Sequence, residues 1–113
     1  MLDIQSVSAH CDIPCKIYDP AVAQVAALSI ARLLDLIQEV NLNGDSLAAN
    51  AQLSRLVAEK EAEARIVKEE VMIIWGDYFK EPQLEKFPET HELVHSLMQI
   101  ASKCKQSVDP ENG

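Results

Sequence analysis

The chain has 113 residues, 48% of them hydrophobic, which is the scale of one compact domain with its own core. Ten Lys and Arg against 18 Asp and Glu leave a net charge of -8, the wrong sign for a phosphate-backbone binder, so no nucleic acid partner is expected. No apolar run approaches the roughly 20 residues of a bilayer span and no basic amphipathic face is evident, so no membrane role is expected.

Three glycines and 4% aromatic residues, set against abundant Ala, Leu, Glu, Lys and Gln, favour helix over strand. The expected fold class is all-α. The leader Met1 to Ala9 (MLDIQSVSA) has no basic start and no long apolar stretch, so it is not a secretory signal, but it ends in a small residue as a short propeptide would. Three cysteines are an odd number, too few for a disulfide framework. Cys11 and Cys15 therefore read as a metal or redox pair in a reducing compartment, and the protein as cytoplasmic.

From His10 to Tyr18 there is no helical period, and Pro14 pushes Ile13 toward an extended shape while removing a backbone donor, which predicts a tight hook. Asp19-Pro20 then supplies an N-cap and a first-turn proline, and Val22, Val25, Leu28, Leu33, Leu36, Ile37 and Val40 follow, predicting a first helix over about 20 to 40. Asn41 to Ser46 is turn chemistry, with Asp45 or Ser46 as the next cap.

Leu53, Leu56, Val57, Ala64, Val67, Val71 and Ile74 keep helical spacing as far as Pro82, a second helix of roughly 50 Å. The charged run Lys60 to Arg65 reads as its solvated face, with i,i+4 pairing. A third helix is expected from Pro88-Glu89, burying Leu93, Val94, Leu97, Ala101 and Cys104, before a polar tail over Asp109 to Gly113. Three helices with short connections predict an antiparallel up-down bundle, the scaffold for the hook.

A cut between Ala9 and His10 would give the hook a specific ligand set. The free α-amine of His10 and the backbone nitrogen of Cys11 close a five-membered ring on a metal, and that nitrogen with the Cys11 thiolate closes a second. Fused small rings force a planar arrangement. The Cys15 thiolate completes the square after the turn through Asp12-Ile13-Pro14, and the His10 imidazole can reach an axial position. A planar set of two nitrogens and two thiolates with a deprotonated amide suits nickel or copper, whereas zinc prefers a tetrahedron and cannot exchange an electron. In the uncut chain an amide replaces the amine and one ring is lost, so processing belongs to the site.

The string His10-Cys11-Asp12-Ile13-Pro14-Cys15-Lys16-Ile17-Tyr18-Asp19-Pro20 resembles the amino-terminal nickel hook of the nickel superoxide dismutases, whose pattern is His-Cys-Asp-x-Pro-Cys-x-x-Tyr-Asp-Pro. A second block, Trp75 to Pro82 followed by Glu85-Lys86-Phe87-Pro88 and His91, is similar to that family's W-x-D-Y-F-K-x-P and E-K-[FY]-P-x-x-H. The resemblance implies a superoxide dismutase converting superoxide to dioxygen and hydrogen peroxide, with one nickel per subunit cycling between its two-plus and three-plus states. It implies His10, Cys11 and Cys15 as metal ligands, with catalysis at these and at Tyr18. Asp12 and Tyr18 would surround the ligands, Tyr18 over the open face of the metal, and Pro14 would fix the turn. It further implies a homohexamer, a processing peptidase that removes residues 1–9 as a propeptide, and a hook-plus-bundle domain over 10–113.

The chain departs from the family pattern at several places. Ala26 stands where some members have a glutamate that holds the axial imidazole, and Glu63 aligns with that glutamate's arginine partner. Lys16 replaces a common glycine, placing a cation beside the hook. The family has four helices, and the chain is expected to show three of them.

Rival readings rest on less. His91-Glu92-Leu93-Val94-His95 matches H-E-x-x-H, but Ala101 stands where the extended zinc motif has its third histidine, so the pair reads as flanking a helix stripe. Cys104 reads as a small core residue, and the Trp75 to Phe79 cluster as serving packing and assembly. A different class, a non-catalytic metal-binding or thiol-redox helical module, remains open because Cys11 and Cys15 can be oxidised to each other. That class has no use for His10 beside Cys11 or for Tyr18.

Overall fold

The computed structural model describes residues 18–42 and 44–113, and among them every regular element is helical. Asp19 opens the first helix, its Oδ1 accepting from the Ala21 N–H at 2.9 Å, while Pro20 sits where a missing N–H costs nothing. Helix α1 then spans Ala21–Leu42. Gly44, at φ 103°, supplies the left-handed backbone of the turn. Ser46 Oγ accepts from the Ala49 N–H at 3.0 Å and starts α2, Leu47–Ile73. Both starts fall where the caps predict them.

The second helix does not run on to Pro82. A proline there would clash with the carbonyl of Tyr78 if the helix continued. Instead the ladder widens into a π-helical turn, Ile74–Tyr78, closed by the Phe79 N–H donating to the Ile74 carbonyl at 3.2 Å, and Phe79 leaves it extended. Pro82 is used in the first turn of a short helix, α3, Glu81–Lys86, where Gln83 Oε1 accepts from the Lys80 N–H at 2.9 Å. The last long helix, α4, is Thr90–Gln106, and a single 3-10 turn, Pro110–Asn112, follows it.

The three long helices form the all-α bundle expected, with α2 packed against both α1 and α4. Their core is Ala26, Ile30 and Leu34 of α1, Ala64 and Val67 of α2, and Ala101 and Cys104 of α4. The slab is only 16 Å deep against 54 and 39 Å in its other directions, little more than the diameter of one helix. Much apolar surface is therefore left outside.

That openness overturns part of the expected burial. Val25 and Leu28 are 63% and 72% exposed, whereas Ile37 and Val40 are buried as expected, together with Ala23, Ala26, Ile30 and Leu34. The helix is apolar around most of its circumference, so periodicity alone does not choose a face. The small Ala26 and Ala64 choose it, because they let α1 and α2 approach closely. By length and composition Ala21–Asn41 is also apolar enough to cross a membrane, which corrects the expectation that no run reaches that length. In the bundle its alanine and leucine stripe is core. On α4, Ala101 and Cys104 are buried as expected, whereas Leu93 stays 60% exposed beside an open hollow.

The expected polar tail is docked. Gln38 Nε2 of α1 donates to the Val108 carbonyl at 2.9 Å, and the Cys104 thiol donates to the Asn112 carbonyl at 2.9 Å. Lys60 is the larger correction: assigned to a solvated face, it is 1% exposed. It lies one turn before Ala64 on the core side of α2, and its stem reaches the end of α4. There its Nζ donates to the carbonyls of Cys104, Lys105 and Ser107 at 2.7, 2.7 and 2.9 Å. These are carbonyls a helix end leaves without partners, and they are negative in the sense of the helix dipole. Burial pushes the ammonium below its ordinary value, while the charge of Glu61 works against that shift. Lys60→Met should therefore cost about 2 to 3 kcal/mol, the worth of hydrogen bonds to a buried charged group. Urea unfolding measures this directly, and a variant of unchanged stability would contradict the capping role.

Candidate metal centre

His10, Cys11 and Cys15, expected as the metal ligands, together with Asp12, Pro14 and the leader 1–9, lie outside the described residues. Tyr18, the last residue of the hook motif, is inside them. It is half-buried and immediately precedes the Asp19 cap, so the start of α1 fixes its backbone.

Its ring packs on Tyr78, with centroids 5.7 Å apart and planes tilted by 55°. Tyr78 in turn meets Phe79 edge to face, 5.4 Å apart at 88°, the geometry in which a positive ring edge faces a negative ring face. Four residues before Phe79, Trp75 donates its indole N–H to His91 Nδ1 at 2.9 Å, with the rings 5.7 Å apart and near perpendicular at 83°. Tyr18 of the first motif block therefore touches the second block, and the second block is braced on α4.

Sequence reasoning placed Trp75 to Phe79 in packing and missed Tyr78 as the residue under Tyr18. The signal was in the topology. In an antiparallel helix pair the end of the second helix returns to the start of the first, so an aromatic residue at the end of α2 must meet the residues just before α1.

Among the described residues no group of three His, Cys, Asp or Glu side chains is placed to hold a metal ion. His91 and His95 are both exposed on α4, and His91 Nδ1 is already taken by Trp75. Cys104 is a buried free thiol, raised above its ordinary value by burial against a partial lowering by Lys60. A thiol held in that form is a poor ligand.

Ala26 is 2% exposed in the core, and Glu63 lines a shallow cavity of 440 Å³ with Val25, Ser29, Arg32 and Glu59. Burial, then the charge of Glu59 and a hydrogen bond with it, raise the Glu63 carboxyl above its ordinary 4.5. A raised acid favours the folded state while protonated. That contribution is complete below the ordinary value and is lost as pH rises through the raised one. Glu63→Gln, neutral at every pH, should thus be more stable than the parent at neutral pH, with the difference closing below pH 4.5. Thermal unfolding at the two pH values checks this, and an equal or lower melting temperature at neutral pH would contradict it.

Residues 5–113 match the family described as nickel-containing superoxide dismutase. The superoxide dismutase [Ni] of Streptomyces coelicolor is 40% identical over 108 residues, which cover 96% of this chain and 77% of that protein. The enzyme of the same name from Streptomyces seoulensis is 41% identical over 110 residues, covering 95% and 76%. A native structure of a nickel superoxide dismutase superposes with a TM-score of 0.77 at 36% identity, over 91% of this chain and 83% of that one. Sequence, helical architecture and the two motif blocks agree, and the chain belongs to the nickel-containing superoxide dismutase family.

Proposed function

We propose that this chain is a nickel-dependent superoxide dismutase that turns two superoxide anions and two protons into one dioxygen and one hydrogen peroxide. The observation that carries the reading is the hook string itself, His10-Cys11-Asp12-Ile13-Pro14-Cys15, joined through Tyr18 to a bundle of the family's architecture.

The donor set fits the metal. Thiolates of Cys11 and Cys15 and nitrogens of His10 and Cys11 are soft or borderline donors of the kind nickel takes in planar sites. When bound, nickel supplies the one-electron exchange with superoxide. His10 would contribute its α-amine and imidazole, Cys11 its amide nitrogen and thiolate, and Cys15 its thiolate. Asp12 and Pro14 would shape the turn between the two cysteines.

The protein's other task concerns protons and access. Tyr18 Oη is a hydroxyl with one proton to donate and lone pairs to hold water, and its ring is backed by Tyr78. A hydroxyl of this kind can hydrogen-bond a small anion such as superoxide. Lys16, next to Cys15 in a chain of net charge -8, offers a local attraction to an anionic substrate.

Removal of residues 1–9 by a peptidase would free the α-amine of His10, and a centre that needs both the Cys11 and Cys15 thiolates would be at home in a reducing, cytoplasmic setting. A homo-oligomer, a hexamer by family resemblance, would cover apolar surface that the slab leaves outside. Support for that comes from Leu28, Leu93 and Phe87, which are 72%, 60% and 50% exposed, since monomers rarely leave such residues uncovered in numbers.

Stopped-flow decay of superoxide on the processed, nickel-loaded protein tests the assignment. Cys11→Ser and Cys15→Ser should lose both nickel and activity. Tyr18→Phe should keep its nickel and slow turnover roughly tenfold, the equivalent of one hydrogen bond to a charged group. Full dismutase activity in the cysteine variants would sink the proposed centre.

A further inference from the structure

We propose that His91 is a positioning residue for this centre, holding, through Trp75, the π-helical turn on which Tyr78 supports Tyr18. The inference rests on the dismutase function proposed above and names a residue that would act on it from outside the hook.

The turn Ile74–Tyr78 has no buried residue, so burial in the core does not hold it. Its position therefore depends on side-chain contacts at its two ends. At one end Tyr78 meets Tyr18 at 5.7 Å. At the other, Trp75 donates to His91 Nδ1 at 2.9 Å, and His91 belongs to the first turn of the long helix α4, Thr90–Gln106. The imidazole thus ties the turn to the rigid part of the bundle, three residues from the tyrosine that touches the hook.

The tie requires neutral imidazole. A neutral histidine has one acceptor nitrogen, and here it is Nδ1, so the proton sits on Nε2. An imidazolium carries N–H at both positions, and the Trp75 N–H would then face another donor. His95 sits one turn further along α4, so it is the control.

Trp75 is the only tryptophan of the chain, so its emission reports on the surroundings of this bond. The test compares emission and dismutase rate at one neutral pH in the processed, nickel-loaded protein. His95→Asn should keep the parent's rate and emission. His91→Ala should shift the emission, keep its nickel, and run roughly fivefold slow, the worth of one hydrogen bond. His91→Asn retains an acceptor and should keep the parent's rate. It also preserves the test if the alanine variant folds poorly. An active parent whose His91→Ala variant keeps its rate and its emission would overturn the inference alone. A nickel-loaded parent with no dismutase activity would overturn it together with the function on which it rests.

Discussion

The contact between the Tyr18 and Tyr78 rings, 5.7 Å apart, joins the end of the proposed nickel hook to the helices that carry everything else. A nine-residue hook cannot bury enough surface to hold a shape by itself. Its placement must be borrowed from the bundle. Asp19 fixes the backbone on one side of Tyr18 by capping α1, and Tyr78 fixes the ring. The π-helical turn matters because it stops α2 short of Pro82 and leaves Tyr78 beside the start of α1.

The bundle that bears this load is thin, and polar contacts do a share of what burial does in a rounder domain. Lys60 is the clearest case: one ammonium takes three carbonyls at the end of α4, so α2 grips α4 at the end opposite Thr90. A second lysine of α2, Lys68, donates to Ser102 Oγ at 3.0 Å. No buried side-chain nitrogen or oxygen among the described residues is left without a partner. Apolar surface is still left outside around Trp75, Phe87 and Leu93.

Much of this was legible in the sequence, for reasons that can be named. Caps at Asp19 and Ser46 act locally, so the starts of α1 and α2 were placed correctly. Membership of the nickel-containing superoxide dismutase family was legible because its motif blocks are runs of neighbouring residues, whereas the ligand roles expected of His10, Cys11 and Cys15 fall outside the described residues. What failed was what depends on a third dimension. The face of α1 was misread because Val22, Val25 and Leu28 match the helical period as well as Ala23, Ala26 and Ile30 do. Lys60 was misread because a charged run looks solvated until the end of another helix is found beside it. The docking of the tail, and Tyr78 under Tyr18, required knowing which helix ends meet.

The proposed centre requires a mature chain that begins at His10 and binds nickel through that end. Intact mass and metal content settle it most directly, measured on protein from nickel-supplied cells that also express a processing peptidase. The expected result is a chain starting at His10 with about one nickel per subunit, the stoichiometry of a single hook. A chain that keeps Met1 and carries zinc or no metal, despite an active peptidase, would contradict it.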